Sequence, residues 1–230
     1  MSSALPFPSP APAVPPSGSG APSDLRGEWS LVMLSAASGA ADAFAFLCAG
    51  RVFAGVMTGN LVLLGASAAG VGEKGVALRA CLAVASYGVG AACGAWLTAR
   101  WRRRLPLTLL AEVVLLTGAA GLWLLGPVAV GAYRPEVLTL VAAAMGVQAR
   151  TRVTPTNYFT GTFTSLVGRR VLREPGGGER WVVARLVALV AGAAVAATAA
   201  RWCPPLAAAV PVVPALVALV LETGRGRRSG

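Results

Sequence analysis

Two Thr-Gly pairs, Thr58-Gly59 and Thr160-Gly161, each sit at or near the start of a short uncharged stretch, with Asn60 after the first and Thr162 after the second. A threonine hydroxyl can accept a backbone N–H at a helix start, and glycine lets another chain come close. A helix that begins inside a membrane presents unpaired N–H groups and the positive end of its dipole. In a protein-lined cavity such an end suits an anion, a carbonyl or water. The same residues equally suit a capped helix start in a tight turn that holds no ligand. Asp42 lies seven, four and three residues after Ser35, Ser38 and Gly39, so one helix face is small and polar. Placing an acid at a membrane helix centre costs about 2.5–3.5 kcal/mol on insertion scales, so Asp42 is expected to face the bundle interior. Glu112, Gln148, Arg150 and Arg185 are the other strongly polar residues in or beside apolar runs. Asp42 and Glu112 suit pairing with an arginine, or proton or cation handling. Arg150 and Arg185 suit snorkelling from a span edge.

Other chemistry is missing. The chain has no His, which removes His-dependent triads, His metal ligands and a His pH switch. Cys48, Cys81, Cys93 and Cys203 have no CxxC spacing and lie in or beside apolar runs, which predicts buried, inert thiols. No phosphate loop, dinucleotide fingerprint, nucleophile elbow or metal-ligand cluster appears. The expectation is a protein that is not an enzyme and carries no metal or cofactor.

The elements that must position these residues follow from composition. The chain has 230 residues, 20 Lys+Arg, 9 Asp+Glu and a net charge of +11, yet it is 56% hydrophobic and only 13% charged. Its mean hydropathy is +0.68. Soluble domains carry about 25% charged residues. A nucleic-acid domain needs a charged, solvated face, and here long runs carry no charge at all. The partner is therefore the lipid bilayer rather than nucleic acid, with cations in short loops between spans.

Residues 1–28 are rich in Pro, Ser, Ala and Gly, cannot bury a core and lack the pattern of a secretory signal. The first span is then its own insertion signal. At about 20 residues per crossing, the apolar pieces are Trp29 to Cys48, Val56 to Gly70, Ala80 to Ala99, Leu105 to Gly126, Val137 to Ala149, Tyr158 to Gly168, Trp181 to Ala200 and Leu206 to Leu221. The two Thr-Gly pieces are too short to cross. If all eight crossed, the cations would be shared almost evenly. With the two Thr-Gly pieces folding back to their own side, fourteen cations share one face: Arg26, Arg100, Arg102 to Arg104, Arg150, Arg152, Arg169, Arg170, Arg173, Arg180, Arg225, Arg227 and Arg228. Five remain on the other: Arg51, Lys74, Arg79, Arg134 and Arg201. The positive-inside rule then predicts six crossings with both termini cytoplasmic. The cluster Arg100 to Arg104 reads as a cytoplasmic stop and a contact for anionic lipid. Trp29, Trp101, Trp181 and Trp202 fall near span ends, as interface anchors do.

The chain also resembles itself. Arg79 to Trp101 and Arg180 to Trp202 both begin with Arg and end in Ala-Arg-Trp, at an offset of 101, and the Thr-Gly pairs recur at 102. Each half, 29–126 and 135–222, would be a span, a short Thr-Gly helix and two further spans. Three crossings per half place the second copy inverted. Within the first half, Ser86, Gly90, Gly94 and Thr98 form a small-residue strip for close helix packing.

The block from Ser38 to Gly65 resembles the YoaK-like bacterial membrane proteins, through Gly39, Asp42, Ala43, Phe53, Met57, Thr58, Gly59 and Asn60. The segments Ala144 to Ala149 and Tyr158 to Val167 are similar to that family's Met-Gly-x-Gln and Thr-Gly-Thr blocks, and Glu112 stands where it tends to carry a Glu. Ala149-Arg150 departs from the Asn-Ala pair common after the Gln. The resemblance spans roughly residues 29–222 and implies about six transmembrane helices and no known substrate.

The expected fold is an all-α integral membrane protein of about six transmembrane helices plus two short Thr-Gly half helices, in one domain over residues 29–222. A tail of residues 1–28 and a basic cytoplasmic tail of residues 223–230 flank it. The expected function is a small-solute transporter or channel in the bacterial plasma membrane. Its small-molecule or ion pathway would be lined by Asp42, Thr58, Gly59, Asn60, Glu112, Gln148, Thr160, Gly161 and Thr162. The competing reading is a non-transporting scaffold or regulator that binds lipid or a protein partner; either is compatible with a homo-oligomer.

Overall fold

The computed structural model describes residues 25–100, 105–126, 133–151, 159–172 and 179–226. The N-terminal tail up to residue 24, most of the Arg100 to Arg104 cluster and residues 227–230 lie outside them. Every regular element among the described residues is helical. They are α1 (Leu25–Phe44), a π-helical segment (Ala45–Gly50), α2 (Met57–Ala68), α3 (Val76–Arg100), α4 (Leu105–Leu125) and α5 (Pro135–Ala149). These are followed by α6 (Phe159–Leu172), α7 (Glu179–Trp202), α8 (Pro204–Ala207) and α9 (Val212–Gly226). In lipid, a helix satisfies its own backbone polar groups, which is why long apolar stretches take this form.

Five stretches are long and apolar enough to cross a membrane: Leu25–Gly50, Val76–Arg100, Pro106–Leu125, Glu179–Trp202 and Pro204–Gly224. The expected sixth, α5, has 15 residues, about 22 Å at 1.5 Å per residue, against about 30 Å of hydrocarbon. Its start is set by Pro135 at the first turn with Glu136 beside it, a residue pair suited to a helix N-terminus. Its second half is almost wholly buried, from Ala144 to Ala149.

Glycine decides how the helices meet. A Cβ on Gly39 of α1 would overlap the Leu189 carbonyl oxygen of α7, and one on Gly192 would overlap that of Ala36. The same reciprocal arrangement joins α3 and α5: Gly90 lies against the Ala143 carbonyl and Gly146 against that of Tyr87. Gly94 packs against Val147 and Arg150, next along the strip, with Ser86 buried on the same face. Glu28 pairs with Arg185 before Gly39 meets Leu189, and Gly90 meets Ala143 before Gly94 meets Val147, so α1 runs parallel to α7 and α3 parallel to α5. Small residues at these positions let the backbones touch, which in lipid substitutes for the missing hydrophobic drive.

The two ends of the bundle differ. At one end, Arg79 donates to the Gly50 carbonyl at 3.3 Å, pairs with Glu73 at 3.3 Å and lies over the Tyr133 ring. Arg51 reaches Glu73 at 3.6 Å, and Arg134 bonds Glu136 at 2.6 Å and the Leu122 carbonyl at 3.0 Å. Trp123 donates to the Pro204 carbonyl there at 2.9 Å. At the other end, Arg185 pairs with Glu28 at 2.6 Å, and Trp29 meets Trp181 edge-on. Arg185 is therefore held by an acid on α1, where the sequence suggested free snorkelling.

The thiols also differ from the sequence expectation. Cys48 is buried, but Cys81, Cys93 and Cys203 face outward. They sit on the outer faces of α3 and of the α7–α8 joint.

Candidate functional site

α1 does not end where its α-helical geometry ends. It widens into the π-helical segment and stops at Gly50, with φ of 145°, followed by Arg51 at φ 58°. Such backbone is left-handed territory, open to glycine at little cost and strained for arginine. The chain turns back here and descends through residues 51–56 to the start of α2.

Two side chains clasp this returning segment. Asp42 accepts the Gly55 N–H at 2.7 Å, with the N–H groups of Val56 and Ala54 close to the same carboxylate. Asn60 accepts the Phe53 N–H at 2.8 Å and returns a bond to the Phe53 carbonyl at 2.7 Å. Asn60 is completely buried. Gly59 admits the Phe53 ring, which a Cβ would approach to 3.0 Å. The N-cap of α2 is Val56, with no side-chain cap, and Thr58 is exposed. Thr58 therefore does not cap the helix as its type suggested. The N–H groups leading into the half helix face an internal carboxylate instead, and the expected anion at this end is Asp42 itself.

Beside this clasp lies a cleft of about 1090 Å³. Ser38, Gly39 and Asp42 of α1 and Phe46 of the π-helical segment form its floor, and Phe53, Met57 and Thr58 one wall. Val190, Ala193, Ala194 and Ala197 of α7 form the opposite wall, with Tyr87 of α3 at its edge. Phe46 and Phe53 stack with centroids 5.2 Å apart. Asp42 is the one charged residue in this lining. Phe53 was named in sequence only through the family resemblance, and Phe46, Tyr87 and the α7 residues were not singled out. Phe46 and Phe53 lie within the Asp42–Thr58 stretch and carried a usable signal; the alanines of α7 carried none.

Glu112 and Gln148 lie elsewhere. Both are fully buried, and the Gln148 amide donates to Glu112 at 3.0 Å and to the Leu34 carbonyl at 3.1 Å. One amide thus links α4, α5 and α1. The second Glu112 oxygen has no hydrogen-bond partner among the described residues. Neither Asp42 nor Glu112 forms an ion pair with an arginine among those residues. The structure therefore gathers Asp42 and Thr58 at the cleft, uses Gly59 and Asn60 of α2 to hold the loop beside it, and sets Glu112 and Gln148 in a separate buried pair. Thr160 and Gly161 fall in the first turn of α6; the side chains of Thr160 and Thr162 lie outside the described residues. Among the described residues no group of three or more Cys, Asp or Glu side chains converges as a metal site would.

A family described as a protein of unknown function, DUF1275, matches residues 30–221. The chain belongs to the DUF1275 family. The match takes in every element of this DUF1275 protein from α1 to α9, including both Thr-Gly helices. No curated protein and no solved structure matches the chain. The family and the apolar helices fit an uncharacterised membrane protein.

Proposed function

We propose that this chain is a small-solute transporter or channel of the bacterial plasma membrane, with its binding site in the cleft between α1, α7 and the loop before α2. The observation that carries this reading is the cleft itself, because it puts the carboxylate of Asp42 beside a space of about 1090 Å³ midway along two membrane-length helices. Ligand sites commonly enclose about 300–1,000 Å³ with few polar groups in an apolar lining.

The paired backbone contacts support an inverted repeat. Ala36 and Ala143, like Gly39 and Gly146, stand 107 residues apart; Tyr87 and Leu189, like Gly90 and Gly192, stand 102 apart. Each contact of α1 with α7 thus has a counterpart of α5 with α3. The 102 shift equals that of the Thr-Gly pairs and differs by one from the 101 that the Ala-Arg-Trp triplets give. Under this arrangement α5 is the sixth crossing, shortened, and both termini face the cytoplasm. Arg51, Arg79 and Arg134 share the end opposite Glu28 and Arg185, in keeping with that orientation. The motifs at Met57 to Asn60 and Ala144 to Ala149 support the likeness to the YoaK-like proteins.

The test uses Thr58→Cys and Ala194→Cys in a chain whose four native cysteines are serine. A membrane-impermeant maleimide is applied to right-side-out and to inverted vesicles. A transport site is labelled from both sides. Labelling from neither side overturns the reading in favour of a scaffold, and a C-terminal reporter found outside overturns the topology.

A further inference from the structure

Resting on that reading of the cleft, we propose that its solutes are organic cations with apolar bulk, held by Asp42 as counter-charge. Every other lining residue among those described is uncharged, so none of them offsets an anion. The carboxylate is already held by the Gly55 N–H of the loop, and Asp42 is a half-buried residue lining the cleft. It therefore needs no reorganisation when a positive group arrives. Phe46 and Phe53 form a stacked aromatic surface on the same side, and cations favour aromatic faces within about 6 Å of the ring centroid. The wall built from Ala193, Ala194 and Ala197 offers flat apolar area and no hydrogen bonds. A bare metal ion fits poorly, because hard cations take roughly six oxygen ligands. The lining offers one carboxylate with an oxygen already bonded and the hydroxyls of Ser38, Thr58 and Tyr87. Sugars and zwitterions would leave most of their polar groups unmatched.

The experiment is equilibrium dialysis of the full chain in nanodiscs against tetraphenylphosphonium and tetraphenylborate, ions of one shape and opposite sign, with empty nanodiscs as the partition background. Saturable binding of one phosphonium per chain is expected, with none of the borate. Asp42→Asn keeps an oxygen for the Gly55 N–H and should weaken phosphonium binding at least tenfold. Ala194→Trp fills the cleft from α7 without touching the loop and should abolish binding. Absence of saturable phosphonium binding, or binding unaffected by both variants, overturns the proposal. If borate binds and Ala194→Trp removes it, the charge assignment falls while the cleft stands as a solute site. If cysteines in the cleft are labelled from both sides and phosphonium does not bind, the substrate class alone is refuted.

Discussion

Asp42 and Glu112 are single carboxylates on membrane-length helices, yet the protein treats them in opposite ways. Asp42 is fed by backbone N–H groups of one loop, thirteen residues along its own chain, and keeps an edge on a cleft. Glu112 is buried among α1, α4 and α5, and its one donor among the described residues is the Gln148 side chain. The first arrangement is local and leaves a carboxylate beside an open cleft. The second is a tie among three helices with no opening. A buried acid in a membrane is thus evidence of function only once its surroundings are known.

The sharpest way to break this contrast is to part the helices that create the dry side. Gly146→Leu drives a side chain into the Tyr87 carbonyl and should prevent folding, seen as loss of the monodisperse species in detergent. Gly65→Ala, with open space around it, should leave that species unchanged.

Next, Gln148→Leu strips Glu112 of its donor and should lower global stability by about 1–3 kcal/mol, measured by thermal denaturation. The paired variant Glu112→Leu/Gln148→Leu should recover most of that loss, because removing both partners of a buried bond leaves nothing unsatisfied. A loss equal to the sum of the two single variants would show that the pair is not a unit.

Asn60→Ala should cost about 1–2 kcal/mol but act locally. Faster amide exchange confined to residues 51–58 is the expected signature; spread through α4 and α5 would erase the distinction between the two sites. Smallest of all, Asp42→Asn and Glu112→Gln should each change thermal stability by under about 1 kcal/mol, since both keep an acceptor oxygen in place.

Much of this was readable in sequence, for identifiable reasons. Length and apolarity alone locate α1, α3, α4, α7 and the α8–α9 stretch, because a bilayer demands about 20 apolar residues. The small-residue strip on α3 was readable because close backbone approach needs missing side chains, and Gly39 with Gly146 are the same signal on partner helices. The π-helical end of α1 was not, since no residue pattern marks the change from four- to five-residue bonding. Asn60 was misplaced although a rule applied: asparagine near a turn tends to bond neighbouring backbone. The Glu112–Gln148 tie spans two helices 36 residues apart, and nothing in one sequence reports such pairing.

The parallel alignment of α1 with α7 has a consequence for how the chain is made. Gly39 leaves the ribosome 150 residues before Leu189, the neighbour whose carbonyl it covers. At about 5–20 residues per second, that interval lasts roughly 8–30 s. Throughout it, the small polar face of α1 with Ser35, Ser38 and Asp42 stands in the bilayer without α7. An insertase or chaperone that shields a nascent polar span would shorten no distance but would guard that wait, and depletion of such a factor should strand the first helix before its partner arrives.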